Sequence, residues 1–143
     1  MRKIATVAAS AAAVAAVLVP AAGAAGMKPA ATLSEKQMGN KVVLTAKLSN
    51  FAIDAKNVGM KNMAGMGHLH FQVDGGKYDY PKYSGPNGQL AAKLGIAGKY
   101  SPSVTPSVTY TGLPKGRHTA KVFLVNNDHS NTGSLATLAF TVK

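Results

Sequence analysis

The sequence predicts an all-β domain, a two-sheet sandwich of about seven short strands. Three observations predict it. Apolar residues alternate over short segments, and no long stretch keeps the 3.6-residue period of a helix. Glycine and proline, 15 and 7 of 143 residues, recur between those segments as turn signals. Once an N-terminal leader is set aside, about 118 residues remain, enough for one core and too few for two.

The leader is read from residues 1–25. Arg2 and Lys3 form a charged start, Ile4 to Pro20 is apolar and mostly alanine, and Ala22-Gly23-Ala24-Ala25-Gly26 offers small residues for cleavage. This is the pattern of a secretory signal peptide, and the apolar run is short for a membrane span, which needs about 20 residues. The expected arrangement is a signal peptide over 1–25 and a single sandwich domain over 26–143, outside the cytoplasm in the periplasm or at the cell wall. Two cations leave with the leader, so the formal charge of +11 becomes +9.

The elements follow in order. Val42 to Leu48 alternates, with Val42, Leu44, Ala46 and Leu48 on one face, and Phe51 and Ile53 are expected to continue that strand after a bend at Ser49-Asn50. Residues 55–67 form a loop rich in Gly, Asn and Met. Gly67 to Asp74 alternates, with Leu69, Phe71 and Val73 opposite His68, His70 and Gln72, and Asp74-Gly75-Gly76-Lys77 is a turn. Residues 77–105 resist a simple reading: Leu90 to Ile96 fits a helical turn or a strand. Val104 to Thr111 is a strand interrupted by Pro106, and Leu113 to Gly116 is a turn. Arg117 to Val125 is apolar on both faces near its end, which places it in the interior of a sheet. Asn126 to Gly133 is a polar loop, and Leu135 to Val142 closes the chain with Ala136, Leu138, Phe140 and Val142 on one face.

Three groups of residues carry a resemblance: Gly67-His68-Leu69-His70 with Asp74-Gly75, the corner Leu113-x-x-Gly116-x-His118-Thr119, and Asn127-Asp128-His129. Together they resemble small secreted bacterial immunoglobulin-like β-sandwich domains of mostly unassigned function, over roughly residues 65–143. The resemblance implies an immunoglobulin-like or cupredoxin-like two-sheet sandwich outside the cytoplasm. It implies no catalytic residues.

In such a sandwich the strand from 68 and the strand from 117 are antiparallel neighbours, which sets Asp128 and His129 beside His68 and His70. His68 and His70 share a strand face, with Cα atoms about 6.5–7 Å apart, so two imidazoles can turn toward one ion. His118 falls at the other end of its strand and is expected to brace the corner through backbone hydrogen bonds. Met60, Met63 and Met66 are spaced by three in the loop before His68. Thioethers suit Cu(I), and imidazole suits copper and zinc. The candidate metal ligands are therefore His68, His70, His129, Met60, Met63, Met66 and Asp128, with copper expected and zinc the alternative. The competing readings are a hydrogen-bonded His pair that braces the 126–130 loop, and a Met loop that plugs the end of the sandwich.

Composition narrows the classes. Without cysteine there is no disulfide framework, thiolate zinc site or cysteine nucleophile. Five carboxylates supply paired-carboxylate hydrolysis poorly, no nucleophile-elbow motif is present, and no general base stands beside the His pair, so no enzyme is expected. The basic residues are dispersed lysines and the part after the leader has one arginine, Arg117, which argues against nucleic acid. The field of such a domain attracts anionic cell-wall polymers. A second candidate surface, for adhesion or wall binding, is Tyr78, Tyr80 and Tyr83 with Lys77 and Lys82, where rings could stack on sugars.

Overall fold

The structure is a computed structural model that describes residues 26–79 and 99–143. The expected leader over 1–25, the segment Leu90 to Ile96, and Tyr80, Lys82 and Tyr83 of the second candidate surface lie outside those residues.

The described chain is all-β, in two sheets. One has three strands, β1 (Ala30–Met38), β2 (Lys41–Ser49) and β6 (Ser107–Thr111), in the order β1-β2-β6. The other has five, with β3 (Ala52–Ile53), β4 (Met66–Val73), β7 (Gly116–Asn126) and β8 (Asn131–Val142) in that order and β5 (Ser101–Ser103) also paired to β4. No helix among the described residues is long and apolar enough to cross a membrane. The core lies between the sheets, where Val42, Leu44 and Ala46 from β2 and Val108 and Tyr110 from β6 meet Leu69, Phe71 and Val73 from β4 and Ala120, Val122 and Leu124 from β7. These are the alternate residues of each strand, as the two-residue period requires.

Three elements differ from the sequence reading. β1 was not expected, because Ala-Thr-Leu-Ser-Glu-Lys-Gln gives little apolar contrast and most of the strand is exposed. Phe51 to Ile53 does not extend β2. Asn50 adopts φ of 55°, a left-handed conformation that asparagine tolerates, and the chain crosses to the second sheet, where β3 pairs parallel with β4. The strand expected from Val104 begins only at Ser107, as β6 against β2; residues 104–106 are a bend, and the residues before them, β5, pair with β4 in the other sheet. Proline has no amide hydrogen to give a ladder, so the crossover falls there.

Two polar nodes fix the end of the sandwich far from His129. Asp79 is buried and accepts hydrogen bonds from the Val73 amide at 2.9 Å, the Ser101 hydroxyl at 2.8 Å and the Tyr110 hydroxyl at 2.6 Å, joining β4, β5 and β6. Burial pushes its carboxyl above the ordinary range against the pull of those donors. At the β7 corner, His118 directs Nδ1 to the Asp74 carboxylate and Nε2 to the Pro114 carbonyl, both at 2.7 Å, and stacks on Phe140. Both ring nitrogens face acceptors, so the imidazolium is the form that satisfies both. Burial opposes that charge, and the Pro114 carbonyl and Asp74 outweigh it, so the pKa is raised from 6.5. His118 thus braces the corner through backbone, as its position in the sequence suggested.

The sign of its contribution follows. The folded state holds this proton more tightly than the unfolded chain, so the stabilisation is fully present below pH 6.5 and is lost as pH rises through the raised value. Unfolding midpoints measured from pH 6 upward should fall for the wild type and stay flatter for His118→Gln.

Candidate metal centre

The central pairing of β4 with β7 builds the site. Gly67 stands opposite Asn126, His68 opposite Val125, Leu69 opposite Leu124 and His70 opposite Phe123. Leu69 and Leu124 enter the core, so His68, His70, Phe123 and Val125 share the other face of the sheet. His68 is fully buried there and His70 nearly so. The start of β4 lies at the end of β7, which delivers the 126–130 turn to the same place.

That turn aims His129. Its amide bonds to the Asn126 carbonyl at 3.0 Å, the Asn126 amide bonds to the Ser130 carbonyl at 2.9 Å, and His129 adopts φ of 67°. Left-handed backbone is uncommon outside glycine, though histidine is among the residues enriched there. A register shift in the β7–β8 ladder between Leu124 and Val125 marks the strand end that carries the turn, and bulges commonly re-aim side chains beside functional sites.

The three rings meet at one point. His68 Nε2 lies 3.1 Å from His70 Nε2 and 3.1 Å from His129 Nδ1, and His129 Nδ1 lies 3.4 Å from His70 Nε2. Among the described residues these three form a group able to hold a metal ion. The triangle cannot be satisfied by hydrogen bonds alone. Each facing nitrogen carries either a proton or a lone pair, so among three corners at least two are alike, and at least one contact sets like against like. His68 is left poorer still, because its buried Nδ1 has no partner among the described residues. Burying such an atom costs about 1–3 kcal/mol, which weighs against the rings being only a structural brace.

One cation removes the conflict, since three lone pairs can all face it. The triangle places each nitrogen about 1.9 Å from its centre, so His68, His70 and His129 could together hold an ion at the ~2.0–2.1 Å that imidazole ligation needs. The rings are also kept neutral, as ligation needs. Burial, and then the charge of His129, pulls His68 to about 4. Burial, and then the charges of His68 and His129, pulls His70 to about 3. Burial lowers His129 as well, against the Asp128 carboxylate.

No protein-family model, curated protein or solved structure matches the chain. What the site does is therefore argued from its own chemistry.

The other sequence-predicted ligands are placed differently. Asp128 is not among the converging atoms: its Oδ1 accepts the Ser130 amide at 2.9 Å and shapes the turn. Met60 and Met63 are exposed, by 60% and 51%, so they do not plug the sandwich end. Their loop is nonetheless fastened to the His129 turn. Asn62 Oδ1 accepts the Asp128 amide at 2.9 Å, and the Gly59 amide bonds to the Asn127 carbonyl at 2.6 Å. Buried Asn127 gives its Nδ2 to Asp54 and to the Lys61 carbonyl. Met66 is half-buried and opens β4 on the face of His68 and His70, two residues before His68. On the second candidate surface, Tyr78 packs edge-on against His118, with Lys77 Nζ 5.4 Å above its ring.

Sequence reasoning missed three contributors: Asp54 and Asn62, which tie the two loops, and Tyr100, whose ring lies 5.4 Å from that of His70. Their roles depend on contacts between distant segments, and no local periodicity signals them.

The depressed histidines have a consequence opposite in sign to that of His118. Between pH 6.5 and about 4 the unfolded chain binds protons that folded His68 and His70 refuse. Their contribution is full above 6.5 and is lost as pH falls, by about 1.4 kcal/mol per pH unit per ring. The metal-free protein should therefore lose stability in acid over that range, and His68→Ala/His70→Ala should lack that limb when unfolding is followed from pH 7 to pH 4.

Proposed function

We propose that this is a secreted, non-catalytic copper-binding protein in which His68, His70 and His129 hold the ion. The observation that carries the reading is the three-nitrogen triangle, with sides of 3.1, 3.1 and 3.4 Å, on two buried rings and one half-buried ring. Zinc fits three imidazoles with an open vertex equally well. Copper is favoured by the thioether of Met66 on the same strand face, a soft donor for the fourth position that zinc does not seek. Met60 and Met63, on the exposed loop bolted to the His129 turn, supply further thioethers with which to collect Cu(I). Extracytoplasmic residence comes from the leader pattern of residues 1–25 and agrees with a metal site that uses no thiolate.

The test is titration of the metal-free chain with Cu(I), Cu(II) and Zn(II). One equivalent should saturate the site. Met66→Leu should weaken Cu(I) about tenfold or more and leave Zn(II) nearly unchanged. Absence of saturable binding by any of the three ions would remove the reading, and equal losses for Cu(I) and Zn(II) would remove Met66 from it.

A further inference from the structure

The outer face of the three-stranded sheet is basic and hydroxylated, and neither the core nor the metal centre uses it. The pairing register identifies its members. Thr32 stands opposite Lys47, Ser34 opposite Thr45, Lys36 opposite Val43 and Met38 opposite Lys41, while Thr45, Val43 and Lys41 face Ser107, Thr109 and Thr111 of β6. The alternate residues of β2, Val42, Leu44 and Ala46, are buried in the core. Lys36, Lys41 and Lys47 are all exposed on the outer face. Glu35 pairs with Leu44 and so belongs to the opposite face, leaving this one without a carboxylate among the described residues. The one ion pair among the described residues, His118 with Asp74, is elsewhere.

The lysines form a row. Strand geometry puts the Cα atoms of Lys41 and Lys36 about 8 Å apart and those of Lys36 and Lys47 about 14 Å apart, a track of about 20 Å along β2. Hydroxyl residues lie between and beside them: Ser34 donates to the Thr45 carbonyl and the Thr45 and Ser107 hydroxyls bond each other, while Thr32, Thr109 and Thr111 stand along the same face. A row of point charges separated by hydroxyls matches a linear chain of single negative charges. Among the described residues the face carries no aromatic ring on which a sugar or a base would stack, and no arginine to read a base edge. Those absences turn the choice from acidic glycans and nucleic acids to a phosphodiester chain with small polyol units.

We infer that the outer face of the β1-β2-β6 sheet is a binding surface for a linear polyol phosphate, with Lys36, Lys41 and Lys47 on phosphates of one chain and the hydroxyls of Thr32, Thr109 and Thr111 donating to phosphate oxygens. The surface is independent of the metal centre.

The test uses a glycerol phosphate oligomer as probe, with the full chain. Lys36→Gln/Lys41→Gln/Lys47→Gln should weaken binding about tenfold or more and flatten its salt dependence. Lys56→Gln/Lys99→Gln/Lys115→Gln removes the same charge from exposed sites elsewhere and should change binding less than about threefold. The triple arginine variant at 36, 41 and 47 should keep binding. Equal weakening by the two glutamine variants would show a general field and overturn the assignment. So would loss of binding in the arginine variant, or tighter binding of a uronate oligomer or single-stranded DNA of equal charge.

Discussion

Replacing both His68 and His70 by alanine should lower the affinity for copper or zinc by about 10³- to 10⁴-fold. The expectation rests on convergence. These two rings supply two corners of the nitrogen triangle, and His129 alone keeps one donor on an exposed turn. Single substitutions are less decisive, because the remaining pair still chelates. Competition against a chelator of known affinity reads the change directly. Tyrosine fluorescence offers a second readout, since the chain has no tryptophan and the Tyr100 ring lies beside His70. Cu(II) held by His70 should quench that emission in the wild type, and the double variant should show little quenching at one equivalent. Unchanged affinity in the double variant would place any bound metal elsewhere.

Gly67→Ala should cost about 3 kcal/mol of stability, the upper end of the range for overpacking. A Cβ at residue 67 would stand 2.0 Å from the Val125 carbonyl oxygen and 3.0 Å from the Phe51 ring. The backbone conformation at Gly67 suits any residue, so the requirement is for space. The nearest atom belongs to the main chain of β7 and cannot swing aside as a side chain would. Relief comes only by parting β4 from β7 at the pair that sets His68 against Val125. The variant should therefore lose metal affinity along with stability. Denaturant unfolding and metal titration of the same preparation check both, and a stable variant with full affinity would show that the strands can separate here without moving the rings.

The two proton-linked effects oppose each other and leave a window. His118 holds its proton more tightly when folded and loses its contribution as pH rises, whereas His68 and His70 resist protonation and lose theirs as pH falls. Burial lowers all three, and what each ring faces then decides the direction. His118 sees a carboxylate and a carbonyl. His68 sees two other imidazoles.

Much of this arrangement was legible in the chain. The alternation of Val42 to Leu48, Leu69 to Val73 and Ala120 to Leu124 predicts the core faces, because a strand exposes every second residue to the same side. The spacing of His68 and His70 predicts a shared face for the same reason. The antiparallel neighbourhood of the two central strands, taken from a resemblance, carried His129 to that face, and the observed register agrees. β1 was not legible, because an edge strand with a mostly exposed surface needs no apolar alternation. The crossover at Asn50 was not legible either, since a single left-handed residue decides it.

By itself, then, the sequence determined the fold class, the two strands that meet and the kinds of donor available. Only the tertiary structure decided which donors converge. It selected three imidazoles from a wider set, turned Asp128 to its own loop and set Met60 and Met63 at the surface. The reason is one of range. Alternation and spacing are properties of neighbours in the chain. A shared coordination point among residues 68, 70 and 129 depends on a turn with one left-handed residue, a displaced ladder and a loop tied by Asn62 and Asn127. Each of these is a contact between distant segments, and it exists only when the sheets have formed.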